Sequence, residues 1–153
     1  MFGGREGNPV TDSLTKRKRS EVMAAISSRG NRATELRLAS LFRECGITGW
    51  RRGQSLPGKP DFVFRREQIA VFVDGCFWHG CRWHCRMPKS RQTYWEPKIS
   101  GNRSRDRAVS RVLKQAGWQV HRIWEHSLAQ PDAVIAKLRL VLGRASRQGS
   151  KAT

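Results

Sequence analysis

The chain has 153 residues, of which 30 are Lys or Arg and 12 are Asp or Glu, giving a net charge of +18 at neutral pH. Hydrophobic residues make up 38%, low for a globular domain yet above the range of disordered chains. The length predicts one domain with one core, and the charge predicts a polyanionic partner rather than a small neutral ligand.

No apolar run is long enough to span a bilayer, and no signal peptide opens the chain. No helix combines a basic face with large exposed apolar residues, so no membrane role is expected. A soluble, cytoplasmic or nucleoid-associated protein is predicted. No heptad or long apolar face needs a partner, which predicts a monomer.

Residues 1–14 are Gly-, Pro- and polar-rich and predict a disordered tail. Lys16-Arg17-Lys18-Arg19 then open a basic segment, 15–30, read as an arm that orders on a phosphate backbone. Val22 and Ile26 suit a short helix beneath it. Residues 34–45 predict a helix with Thr34 as N-cap and Gly46 after its end. Leu38, Leu41, Phe42 and Cys45 recur at helical spacing, and Cys45 reads as core.

Pro57-Gly58-Lys59-Pro60 breaks the chain. Asp61–Phe64 predicts a short strand, 65–68 a turn, and Ile69–Val73 a second strand. The unbroken apolar run of the latter predicts burial on both faces. Residues 75–90 form a Cys/His/Trp-rich loop without periodicity, for which metal is the natural organiser. A helix is predicted over 102–116. It turns Val109, Val112, Leu113 and Ala116 to the core and Arg103, Arg105, Arg107 and Arg111 outward, and Gly117 ends it. Trp118 to Trp124 alternates as a strand. Pro131 opens a last helix with Val134, Leu138, Val141 and Leu142 on one face. A basic tail, 143–153, is expected to fray from Arg144. This order predicts one α/β domain over 15–142 around a small mixed sheet.

Three constellations carry chemistry. Cys76, Cys81, His84 and Cys85 crowd into ten residues, and His126 follows the last strand. A structural zinc takes four Cys or His ligands in a tetrahedron, and in a reducing compartment such a cluster favours metal over disulfides. Three loop ligands and one distant ligand would pin the loop to the core. His84 and Cys85 are neighbours and compete for one position, while His79 need not be a ligand.

The acids come second. Asp61 begins one strand, Asp74 ends the next, and Glu35 sits in the first turn of the predicted helix. Carboxylates at adjacent element ends can hold Mg²⁺, a hard ion that prefers oxygen. The competing readings are helix-dipole compensation for Glu35 and turn capping for Asp61.

The aromatics come third. Phe77-Trp78 and Tyr94-Trp95 interleave with Arg82, Arg86, Lys89, Arg91 and Lys98, a pattern suited to stacking on bases or wedging into a base step. Trp83, Trp118 and Trp124 read as core.

Several blocks together resemble the very short patch repair (Vsr) endonucleases, in order over residues 15–130. They are Asp61-Phe62-Val63-Phe64, Val71-Phe72-Val73-Asp74-Gly75-Cys76-Phe77-Trp78-His79-Gly80-Cys81, Tyr94-Trp95-x2-Lys98-Ile99, Asn102-x2-Arg105-Asp106, Gly117-Trp118 and Trp124-Glu125-His126. The Cys-Phe-Trp-His block is highly specific.

The resemblance implies a restriction-endonuclease-like (PD-(D/E)xK-type) mixed sheet flanked by helices, with a structural zinc. It implies recognition of a T:G mismatch in double-stranded DNA, left when 5-methylcytosine deaminates, and a nick 5′ to the thymine. Mismatch-repair proteins and a repair polymerase would follow at that nick. By motif match, Asp61 is the Mg²⁺-binding carboxylate and Val73 lends its main-chain carbonyl. His79 is the general base, Glu35 orients the water or serves the metal's water shell, and Asp106 is a partner near the site. Phe77, Trp78 and Trp95 would enter the duplex. Cys76, Cys81, His84 and His126 would hold zinc, with Cys85 as the alternative to His84. Some members of the family carry Thr-His where this chain has Val73-Asp74. Asp74 therefore joins either the metal site or the proton relay around His79. Two other readings compete with a mismatch endonuclease: a same-fold nuclease with a different DNA target, and a non-catalytic zinc-stabilised nucleic-acid-binding module.

Overall fold

The computed structural model describes residues 15–87 and 92–149. The predicted tail over 1–14, the last residues 150–153, and Lys89 and Arg91 lie outside the described residues. So do the side chains of Lys16, Arg19, Val22 and Ile26.

The elements are α1 Lys16–Glu44, β1 Trp50–Arg51, β2 Phe62–Phe64, β3 Ile69–Asp74, α2 Gln92–Gln115, β4 Gln119–Trp124, a 3-10 turn Glu125–Ala129 and α3 Pro131–Gly149. They build one four-stranded sheet in the order β1-β2-β3-β4. The first three strands are antiparallel, and β4 runs parallel to β3 after a crossover through α2. This is the mixed α/β domain that the sequence predicts.

Helix α1 is longer than the predicted 34–45. It starts at Lys16, where the Thr15 hydroxyl accepts from the Lys18 N–H at 3.3 Å. Nothing between 16 and 33 stops a helix: there is no proline, and Gly30 alone costs only about 1 kcal/mol. Thr34 is therefore interior and not a cap. The basic segment forms the first turn of this helix, with Arg17 and Glu21 paired 3.3 Å apart on the exposed face.

Every residue of β3 is buried, as its apolar run predicts. The alternation of the strand explains how. Ile69, Val71 and Val73 pack with Leu38, Ala39 and Phe42 of α1 and Val134, Ile135 and Leu138 of α3. Ala70 and Phe72 face the other way, onto Leu113 of α2, beside Val109, Trp118 and Val120. Phe42 anchors the first cluster, with ring centroids 5.1 Å from Phe62, 5.8 Å from Trp50 and 5.9 Å from Phe64. Cys45 packs at its edge.

Four readings need correction. Helix α2 begins at Gln92, ten residues early, and carries Pro97 inside. A proline normally ends a helical pattern, because it lacks the N–H that would bond the carbonyl four residues back, here that of Thr93, yet α2 continues through it. On the same helix Leu113 is buried, whereas Val112 is 48% exposed and Ala116 is exposed, so the apolar stripe is narrower than predicted. The segment from Arg144 does not fray: α3 continues to Gly149 and buries Ala145. Trp83 is 76% exposed rather than core, with the Arg82 guanidinium 5.2 Å from its ring centre. Trp118 and Trp124 are half-buried. Among the described residues, no helix is long and apolar enough to cross a membrane.

Candidate active site and metal cluster

The alternation that sends Phe72 toward α2 sends Asp74 there too, and Asp74 is only 3% exposed. A buried carboxylate needs a charged partner. Arg122 supplies it from the neighbouring strand, where it registers with Phe72. Its Nη1 donates to both Asp74 oxygens, at 2.8 and 2.9 Å. Its Nη2 lies 3.2 Å from Asp106 Oδ1 on α2. The guanidinium sits 4.6 Å from the centre of the Phe72 ring.

Asp106 extends the network to the loop after β3. Its Oδ2 is 2.6 Å from His79 Nδ1, and Asp74 Oδ1 is 3.8 Å from that nitrogen. A carboxylate accepts, so Nδ1 is the protonated nitrogen in this pair.

Asp61 faces the same cleft from the start of β2. The β2–β3 ladder ends at Phe62 and Val71, which leaves the Val73 N–H open, and it donates to Asp61 Oδ2 at 2.7 Å. Burial pushes the Asp61 carboxyl up to about 7; the Val73 hydrogen bond opposes this, and the carboxylates of Glu35 and Asp74 reinforce it. Glu35 also pairs with Arg52. It lies deep within α1, so helix-dipole compensation does not explain it. Asp61, Asp74, His79, Asp106 and Arg122 line one cleft, and Glu35 shares an adjoining cleft with Asp61.

The sequence predicts every acid and the histidine of this cleft, but not Arg122. One basic residue among 30 carries no signal by itself. Its even position on an alternating strand, beside a strand ending in a buried acid, is the pattern that marks it.

The second cluster joins the ends of β3 and β4. Donor atoms of Cys76, Cys81, His84 and His126 lie within 4.8 Å of one another. His126 Nδ1 is 3.1 Å from Cys76 Sγ and 3.7 Å from Cys81 Sγ, and His84 Nδ1 is 3.6 Å from Cys81 Sγ. Tetrahedral zinc, with bonds of about 2.3 Å to sulfur and 2.0 Å to nitrogen, needs sulfur–nitrogen gaps near 3.5 Å, so these residues fit it. Cys85 stands apart, with its thiol 3.6 Å from the Phe77 carbonyl.

Between the clusters lie the aromatics. Phe77, Trp78 and Trp95 meet edge to face with centroids 5.2 to 5.9 Å apart. Phe77 and Trp78 are half-buried, but Trp95 is 7% exposed. In this conformation Trp95 supports the outer two rings rather than presenting its own face. Asn102 donates to the Trp78 carbonyl at 2.9 Å and fixes the loop on α2. Gly80 makes the same contact possible: its φ is +62°, and a Cβ there would lie 2.7 Å from Ile99 Cγ2. Arg17 and Lys18 are exposed on the first turn of α1 and belong to neither cluster.

Replacing Arg122 with Met should cost about 3 kcal/mol of stability in denaturant unfolding, because it leaves Asp74 buried and unpaired. A loss below about 1 kcal/mol would contradict the pairing.

Comparison with known proteins fits this geometry. A family model described as DNA mismatch endonuclease Vsr matches residues 11–85. The chain is 38% identical over 135 residues to the type II nicking enzyme V.XorIIP of Xanthomonas oryzae, covering 87% of this chain and 98% of that protein. It is 50% identical over 86 residues to the type II nicking enzyme V.NaeI of Lentzea aerocolonigenes, covering 56% of this chain and 51% of that relative. It is 39% identical over 122 residues to the DNA mismatch endonuclease Vsr of Escherichia coli, covering 78% and 76%. With a match of this extent and a cleft that keeps the acids and histidine together, the chain belongs to the Vsr family of DNA endonucleases.

Proposed function

We propose that the chain is a T:G mismatch-specific endonuclease that nicks DNA 5′ to the mismatched thymine produced by deamination of 5-methylcytosine. The carrying observation is the cleft that three carboxylates share with His79, in a member of a DNA endonuclease family.

Hydrolysis of a phosphodiester needs a deprotonated water and a stabilised phosphoryl charge. His79 takes the water proton at Nε2, and Asp106 holds the ring in the required tautomer. The donor set at Asp61 is all oxygen and crowded with negative charge, which fits a divalent cation. Asp61 and the Val73 carbonyl would hold Mg²⁺, with Glu35 acting on its water shell. When bound, Mg²⁺ supplies Lewis-acid stabilisation of the phosphoryl and leaving oxygens. Arg122 positions Asp74 and Asp106 and has both terminal nitrogens committed to them.

Discrimination rests on deformability. A T:G wobble is easier to unstack than a matched pair, so half-buried Phe77 and Trp78 enter the duplex there, backed by Trp95. The excess of basic residues gives sequence-independent affinity, and Lys16, Arg17, Lys18 and Arg19 add to it from α1. Zinc held by Cys76, Cys81, His84 and His126 would fix the loop that carries the aromatics and His79. The protein acts as a monomer, and repair proteins and a polymerase take over at the nick.

Two end-labelled duplexes that differ only in T:G against T:A test the reading. With Mg²⁺ the T:G duplex alone should be nicked beside the thymine, and EDTA should abolish it. His79→Ala should bind at wild-type affinity and nick at least about 10²-fold more slowly. Equal cleavage of both duplexes would point to a nuclease with another target. No cleavage over a panel of methyltransferase sites would leave a zinc-stabilised DNA-binding module.

Cys81→Ala should carry no zinc by atomic absorption and melt at a lower temperature, since structural metal is part of the folding free energy. Full zinc in that variant would refute the ligand set.

A further inference from the structure

The cleft around His79 is lined by three cations, Lys59, Arg105 and Arg122. Arg122 is engaged by two carboxylates. Arg105 leans on Asn102 Oδ1 at 3.4 Å. Lys59 is exposed and forms no ion pair among the described residues, and it lines both clefts that meet at Asp61.

The backbone holds Lys59 in place. Its φ is +51°, a left-handed conformation that costs a residue with a Cβ about 1 kcal/mol or more. Its N–H donates to the Leu56 carbonyl at 2.9 Å, and Pro60 follows it, buried. Before it, Gly58 lies against α2 so closely that a Cβ would come 2.4 Å from Val109 Cγ1. The turn is thus clamped to α2 and leads directly into Asp61. Gly or Asn would meet the backbone requirement with less strain, so a substitution by either removes the lysine side chain while keeping the turn.

We propose that Lys59 is a further catalytic residue of the nicking reaction, placing its ammonium on a non-bridging oxygen of the scissile phosphate. The inference rests on the nuclease reading given above. In the reaction, the water oxygen bonds to phosphorus and His79 takes its proton. The phosphorus–ester bond breaks, its electron pair stays on the leaving oxygen, and solvent protonates that oxygen. Lys59 exchanges no atom; its charge meets the negative charge that grows on the phosphoryl oxygens.

Lys59→Asn separates side chain from backbone, because Asn tolerates the left-handed conformation and removes the charge. The measurements are melting temperature, affinity for the T:G duplex and single-turnover nicking rate with Mg²⁺. Lys59→Asn should melt at or above the wild-type temperature, bind within about threefold of wild type and nick about 10²-fold more slowly. Lys59→Gly should behave alike, and Lys59→Arg, which keeps the charge, should recover most of the rate. Wild-type nicking by Lys59→Asn and Lys59→Gly would overturn the proposal and leave only a turn-forming role. So would a fall in affinity as large as the fall in rate, or equal losses in the Arg and Asn variants. If the wild-type chain cuts no duplex, the nuclease reading fails before any substitution is made, and this role fails with it.

Discussion

A carboxylate buried at the end of a central strand is the constraint on which the rest depends. Asp74 is nearly solvent-free at the end of β3, on the face that packs against α2. An isolated charge there would cost several kcal/mol. The parallel pairing of β4 answers it, since its register brings Arg122 onto the same face. The same guanidinium reaches Asp106, and Asp106 reaches His79. One buried pair thereby aligns two strands, a helix and a loop around one cleft.

On the other side of the cleft no cation is paired with Asp61 among the described residues, although Lys59 lines that side too. Asp61 shares its surroundings with Glu35 and Asp74, and burial holds its carboxyl near neutrality. Arg52 offsets part of the charge at Glu35, but Arg122 is committed to Asp74 and Asp106. A cleft that compensates one carboxylate fully and leaves another uncompensated is suited to an oxygen-seeking cation on the uncompensated side. The Cys/His cluster does different work. It ties Cys76, at the end of β3, to His126, after β4, and holds His79 and the aromatic pair between those points. The proposed base and the rings proposed to enter the duplex are therefore mounted on one short loop.

How much of this is legible in the sequence depends on the physical signal each part leaves. The unbroken run Ile69–Val73, short, rich in β-branched residues and bounded by turn signals, suggests a strand buried on both faces, and β3 is one. Asp61 and Asp74 stand out in a chain so poor in acids, His79 and Asp106 only through the family resemblance, and the four share a cleft. Helix limits are less legible. Apart from Val22 and Ile26, residues 16–33 carry little apolar pattern yet form the first part of α1, and Pro97 reads as a stop where the helix tolerates it. His84 and Cys85 are indistinguishable by spacing, and only the fold turns His84 toward the cluster. Arg122 and Lys59 are invisible among so many cations. What distinguishes them is a strand register and a left-handed backbone, which no composition records.

The uncompensated charge at Asp61 is tested most directly by titrating Mg²⁺ into the DNA-free chain by calorimetry at pH 7, in two buffers of different ionisation enthalpy. The folded pKa of Asp61 is raised to about 7, so some of these carboxyls hold a proton at that pH. Cation binding should displace that proton, and the release should fade as the pH rises well above the raised value. Asp61→Asn should lose both the binding heat and the proton release. Equal heats and equal proton counts from the wild type and Asp61→Asn would contradict the account.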